Sequence, residues 1–281
     1  MQDFLELAVS ATASGCIYGL IALAYLLMIR PTGIINFAVG EWAMVAAFGG
    51  YVLLTKYELP YPLGMAIVLA FMLLVGWLSE RIAVRPLVEK GATLLAPILA
   101  LLGVLVITRE IISISFPPDP HTVPFPFEIQ YHKYFIIGVT FAVFAGAWLF
   151  FEKTLWGKSF EAVALNRRAA ALMGINLSRV TSLSFAAGAA VAGLGGLLVS
   201  PNISAHYLMG VPLAIQGFTA LVIGGVGRVE GALLGGLLLA FAEQFTVRYA
   251  PIPGGFAQGV PLLFLMLFLV LRPTGLLRAR A

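Results

Sequence analysis

What most limits the fold of this chain is a series of apolar blocks, each close to the length of a bilayer-spanning helix and parted by short joints of Pro, Gly or charge. Eight such blocks are clear, at residues 4–29, 34–55, 61–78, 92–113, 134–151, 181–200, 229–247 and 256–271. A helix needs about 20 apolar residues to cross the hydrocarbon core, whereas a barrel strand needs only about 10. The blocks therefore read as helices. A further segment, 213–224, is short for a crossing and resembles a re-entrant or broken helix. Composition agrees: 60% of the 281 residues are hydrophobic and 11% are charged, against about 25% charged in a soluble domain. The expectation is an all-α, polytopic bundle of about eight or nine transmembrane segments, a single membrane domain over residues 1–281 of a multi-pass inner-membrane protein.

Positive charge orients the bundle, because Lys and Arg are retained on the cytoplasmic side. With the N-terminus outside, Arg30, then Arg81, Arg85 and Lys90, then Lys153, Lys158, Arg167, Arg168 and Arg179 all fall inside. The alternate loops hold little beyond Lys56 and Lys133. Arg272, Arg278 and Arg280 in the tail join the inside set if 213–224 crosses, which favours nine crossings and a cytoplasmic C-terminus. The net charge of +4 then belongs to loops at anionic lipid rather than to a nucleic-acid surface. The first block lacks basic residues ahead of it and carries Asp3 and Glu6, so it is retained as a span and not read as a signal peptide. The outer loop at 116–133, FPPDPHTVPFPFEIQYHK, is rich in proline and aromatics and should form an ordered cap.

Several chemistries lack their residues. Trp156-Gly157-Lys158-Ser159 ends like a phosphate-binding loop, but Glu152 stands where the first glycine belongs and no strand precedes it. His121, His132 and His206 are scattered, and Cys16 is the sole cysteine, so neither a metal site nor an internal disulfide is expected. No GxSxG is present. No cofactor is expected, and the chain is not read as an enzyme.

Polar groups inside apolar blocks are the remaining candidates, because ionisable residues in a membrane are costly and usually face protein or a water-filled path. Asn36, Gly40 and Glu41 open the second block after the stop signals Pro31 and Gly33; they either line a path or cap backbone groups near the interface. Gly224, Gly225 and Gly227 break a helix and could present bare backbone to the same path. Glu243 and Gln244 lie near the outer boundary and are taken as solvated there, and Gln216 and Thr219 are weaker candidates. Gly188, Gly193, Gly195 and Gly196, and the series Gly227, Gly231 and Gly235, read as close-packing faces.

The segment EAVALNRRAAALMGIN, 161–176, is polar where its surroundings are not. Its period gives a helix of about three turns, with Ala162, Leu165, Ala169, Leu172 and Met173 on one face, Arg167, Ala170 and Ala171 on the other, and Gly174 as a stop. That narrow face has no aromatic anchor, which suits a protein groove better than a lipid surface.

Three stretches together, INFAVGEWAM (35–44), ALNRRAAALMGIN with the glycine-rich span after it (164–196), and ALVIGGVGRVEGALLGG (220–236), resemble the permease subunits of bacterial branched-chain amino-acid ABC importers. The terminal LRPTGLL is similar to that family's ending, and the likeness runs in order along nearly the whole chain. One departure is Val39, where many members carry His. The resemblance implies that a cytoplasmic loop at about 152–180 holds a coupling helix seated in an ATPase groove, with Glu161, Ala162, Asn166, Ala169, Ala170, Leu172, Met173 and Gly174 as the coupling residues. It also implies partners: cytoplasmic ABC ATPase subunits, a second permease that is a paralogue or a copy of this chain, an external solute-binding protein, and membrane lipid. Permeases for urea and short amides look alike at this level, and a stand-alone secondary transporter is the competing class.

Overall fold

The structure is a computed structural model that describes residues 2–249, 259–272 and 275–277. The helix α1 (Gln2–Thr32) tolerates Pro31 because it falls in the last turn. Gly33 then stops it, at φ 70° with its amide bonded to the Ile29 carbonyl at 2.7 Å. Residues 33–38 are not helical, so α2 (Val39–Gly50) starts later than the apolar block beginning at 34, and it runs on as a π turn over Tyr51–Lys56. The next helix, α3 (Tyr61–Ser79), does not end at 78 as expected. It continues through a π turn at Glu80–Val84 into α4 (Arg85–Glu89), where Pro86 has no amide to donate to the preceding turn. Arg81 and Arg85 therefore sit on helix, not in a loop.

The chain proceeds through α5 (Leu95–Ser115), α6 (His132–Lys153), α7 (Leu155–Leu165), α8 (Arg167–Leu172), α9 (Leu177–Ile203), α10 (Gly210–Gly224), α11 (Val229–Tyr249) and α12 (Val260–Leu271). Six helical segments among the described residues are long and apolar enough to cross a membrane: Phe4–Thr32, Tyr61–Glu89, Leu95–Ser115, Ile129–Lys153, Leu177–Ile203 and Val229–Tyr249. The helices α10 and α12, of 15 and 12 residues, are apolar but shorter. The start of the 256–271 block, the centre of the second RPTG sequence, Arg278 and Arg280 lie outside the described residues.

The centre of the bundle is formed by α1 and α9. In each, 78% of the most apolar stretch is enclosed, against 11% in α5. The first helix lies against α9, α10 and α11, and α9 also carries α2 and α3. Lipid offers no hydrophobic drive for such association, so backbones must come close enough for dispersion to hold them. The glycines do this. A Cβ on Gly196 of α9 would strike the Ala43 carbonyl of α2, one on Gly235 of α11 would strike the Ala220 carbonyl of α10, and one on Gly236 would strike the Gly15 carbonyl of α1. Trp42, Tyr25 and Phe185 fill the space between these seams, fully buried. Large apolar side chains of α3 and α12, such as Leu74 and Leu263, are exposed, as expected of helices that meet lipid.

The loop at 116–133 is pinned as expected. His121 and Ala205 exchange two backbone hydrogen bonds of 2.8 Å, tying the loop to the connection between α9 and α10. The His121 ring stacks on Tyr51 at 4.4 Å, and Phe125 sits edge-on to His132 at 4.5 Å. Lys56 and Lys133 belong to this end of the bundle, where Lys133 donates to Ser10. Arg30 and Lys158, far apart in sequence, gather with Glu161 at the other end.

Candidate functional site

The opening of α2 brings three helices together. Asn36, fully buried, accepts the Ala38 amide at 2.9 Å and so shapes the turn into the helix; its amide nitrogen faces the Met28 sulfur at 3.4 Å. Glu41 does not serve as an interfacial cap. It is 1% exposed, and its Oε1 accepts from Arg109 of α5, from Nε at 3.2 Å and also from Nη2. Its Oε2 has no hydrogen-bond partner among the described residues and abuts Gly210, the first residue of α10: a Cβ on Gly210 would sit 2.6 Å from that oxygen. The positive end of the α10 dipole therefore faces a carboxylate, a favourable arrangement. Gly40 permits it by resting on the Gly210 carbonyl, beside Ala214. Arg109 is the residue sequence reasoning missed here, although a lone arginine in the apolar 92–113 block is itself a signal.

Two further polar groups tie helices inside the bundle. Glu243 and Gln244, expected to be solvated, are both held by side chains. Tyr18 of α1 donates to Glu243 Oε2 at 2.8 Å, Gln216 of α10 donates to Oε1 at 3.4 Å, and Gln244 donates to Ser14 at 2.8 Å. Near the opposite end, the buried Glu80 carboxylate accepts from Arg85 at 3.2 Å and from Ser182 of α9 at 2.7 Å. Neither Tyr18 nor Ser182 stands out by residue type, and only folding shows the carboxylates they serve.

The glycine cluster after α10 divides between two places. Gly224 is buried, close to the Gly231 carbonyl of α11, and its own carbonyl accepts the Leu277 amide at 3.1 Å. Gly225, at φ 96°, ends α10. Gly227 instead lines a polar cleft of about 610 Å³ with Arg30, Lys158, Glu161, Arg228 and Glu230. Asn36, Gly40 and Glu41 do not line this cleft. An apolar recess of about 540 Å³ lies between α2, α3 and α5, lined by residues such as Val45, Val68, Phe71 and Ile112.

The polar segment between α6 and α9 forms two helices, not one of three turns. The break is at Asn166, extended at φ −155° and ψ 103°, whose side chain accepts the Ala169 amide at 3.0 Å. Asparagine caps a helix better than it continues one, so the sequence restarts there. Thr154 caps α7 through the Gly157 amide at 2.9 Å, and Gly157 packs on the Phe150 carbonyl, which accounts for the glycine of the GKS sequence. Gly174 ends the pair at φ 83° as expected, and Asn176 caps α9 through the Arg179 amide. Ala170 is buried and Ala162 is half-buried, so Ala162 turns inward from the expected face, whereas Leu165, Leu172 and Met173 are 77%, 89% and 83% exposed and Ala169 is exposed beside them. Glu161 joins Arg30 at 3.9 Å and Lys158 at 3.4 Å, fastening α7 to the end of α1.

Comparison with known proteins covers nearly the whole chain. The family model described as branched-chain amino acid transport system / permease component matches residues 7–271. The high-affinity branched-chain amino acid transport system permease protein BraD of Pseudomonas aeruginosa is 31% identical, over 99% of this chain and 96% of its own. The corresponding protein LivH of Escherichia coli is 26% identical, over 98% and 95%. Among solved structures, PsaBC from Streptococcus pneumoniae in complex with Fab shares the fold at a TM-score of 0.54 and 12% identity, over 94% of this chain and 91% of that one. The glycine-seamed helical bundle and these matches together place the chain in the branched-chain amino acid transport system permease component family.

Proposed function

We propose that this chain forms the membrane path of an ATP-driven importer for branched-chain or related amino acids, as one membrane domain over residues 1–281 with a cytoplasmic loop at 152–180. The supporting observation is the full-length match to BraD and LivH, whose names give that transport role. The chain works without an ATPase site of its own. Cytoplasmic ATPase subunits supply the energy, a second permease completes the path, and an external binding protein delivers substrate.

Coupling runs through α7 and α8. The bare side chains of Leu165, Leu172 and Met173 need a partner surface, and their apolar tips suit an ATPase groove. Closure of the ATPase pair moves α7 and α8, and the Glu161–Arg30 and Glu80–Ser182 ties carry that motion to α1, α3 and α9. Asn36, Gly40 and Glu41 position the start of α10 against α2 on the path side of the bundle, and Gly224, Gly225 and Gly227 let α10 pivot at its other end.

Reconstitution with cognate ATPase and binding protein should give leucine uptake that requires ATP hydrolysis. Uptake driven by a sodium or proton gradient alone would overturn the reading. Leu172→Asp should leave the complex assembled while lowering binding-protein-stimulated ATPase activity and uptake together; normal transport by that variant would remove α8 from the coupling surface.

A further inference from the structure

The outward face of α5 differs from those of α3 and α12. Neither α3 nor α12 contains a charged residue, as befits surfaces that meet acyl chains. By contrast, α5 carries Arg109 and Glu110 in succession. Arg109 turns in to Glu41, and Glu110 is exposed and makes no hydrogen bond or ion pair among the described residues.

Glu110 lies five residues before the helix end at Ser115, so it sits about 8 Å inside that end at ~1.5 Å per residue. A carboxylate within a membrane-spanning helix almost always faces protein or a water-filled cavity. Glu41 and Arg109 neutralise each other, which leaves one net negative charge on this face. Val106 is one turn before Glu110 and Gly103 two turns before it, all on one side of the helix. Among the described residues nothing lies within 4 Å of a Cβ built on Gly103, so the helix surface is low and open there.

We propose that the α5 face around Glu110 borders the aqueous translocation path, and that the Glu110 carboxylate meets the ammonium group of the zwitterion being carried. This rests on the reading of the chain as an amino-acid permease. A single carboxylate at a wet surface attracts a cation without trapping it, which is what a step along a path requires. With α5 so little enclosed by its own chain, the facing wall belongs to the second permease.

The test uses the assembled complex in proteoliposomes, with Cys16→Ala to remove the native thiol. Val106→Cys is labelled with cationic and with anionic membrane-impermeant methanethiosulfonates, and Leu267→Cys on α12 serves as the lipid-facing reference. Val106→Cys should react while Leu267→Cys stays silent, the cationic reagent should be faster by on the order of tenfold, and excess leucine with its binding protein should slow both. Adding Glu110→Gln should erase the charge preference without erasing reactivity. A silent Val106→Cys, or reactivity with no dependence on Glu110, overturns the proposal. So does a Val106→Cys disulfide between two permeases that no reagent can reach, because the face is then a dry seam. ATP-driven uptake accompanied by any of these results leaves the transport reading intact, whereas labelling as expected in a complex that ignores ATP overturns that reading alone.

Discussion

Glu41 shows how one residue can hold a membrane bundle together. Its Oε1 joins α2 to Arg109 of α5, and its Oε2 faces the positive end of α10. Removing one partner of a buried pair strands the other, at a cost of about 3 kcal/mol. Glu41→Gln or Arg109→Ala should therefore lower the melting temperature of the purified protein, whereas the double change to Gln and Ala should lose less than the sum of the two, because the stranded charge is gone. Equal and additive losses would deny the coupling. Glu41 could be singled out from the chain as a costly carboxylate in an apolar block, but its partner could not be named, because a sequence does not show which two blocks adjoin. Glu243 carries the same lesson: read as solvated, it is held by Tyr18 and Gln216 from helices distant in the chain.

At the scale of elements, local chemistry was most readable where it is self-contained. The stops at Gly33 and Gly174, the tight glycine faces of α9 and α11, and the order in the 116–133 loop follow from residue type alone. The division of α7 from α8 was equally local, because Asn166 is a capping residue, but periodicity outweighed it. Asn166→Ala should cost about 1 kcal/mol by removing the cap and favour one continuous helix, re-aiming Leu172 and Met173. Binding-protein-stimulated ATPase activity should fall while the intact complex is still recovered by size exclusion; unchanged coupling would mean that the break has no mechanical part. The π turns at Tyr51–Lys56 and Glu80–Val84 left no comparable trace in the sequence, since they record how long helices adjust to neighbours. Gly235→Leu should drive α11 off the Ala220 carbonyl and destabilise the bundle by about 1–3 kcal/mol, whereas Gly138→Leu, with open space around it, should melt like the parent.

The whole molecule was legible as a class: long apolar blocks fix a helical membrane bundle before any contact is known. Which helices would be central was not legible, because lipid is as apolar as a protein core and hydropathy does not distinguish α1 and α9, the most enclosed of the six long helices, from α5, the least. That central place has a consequence for biosynthesis. The helix α1 precedes in the chain every helix it packs against, and its ties to α11 span 225 residues from Tyr18 to Glu243 and 230 from Ser14 to Gln244. Until α11 is made, the α1 flank that will meet Gly236 and Leu233 waits in the bilayer unmatched. Chains stalled before residue 229 should thus be inserted yet unable to close, and pulse-labelled truncations ending there should be degraded faster than those ending after residue 249.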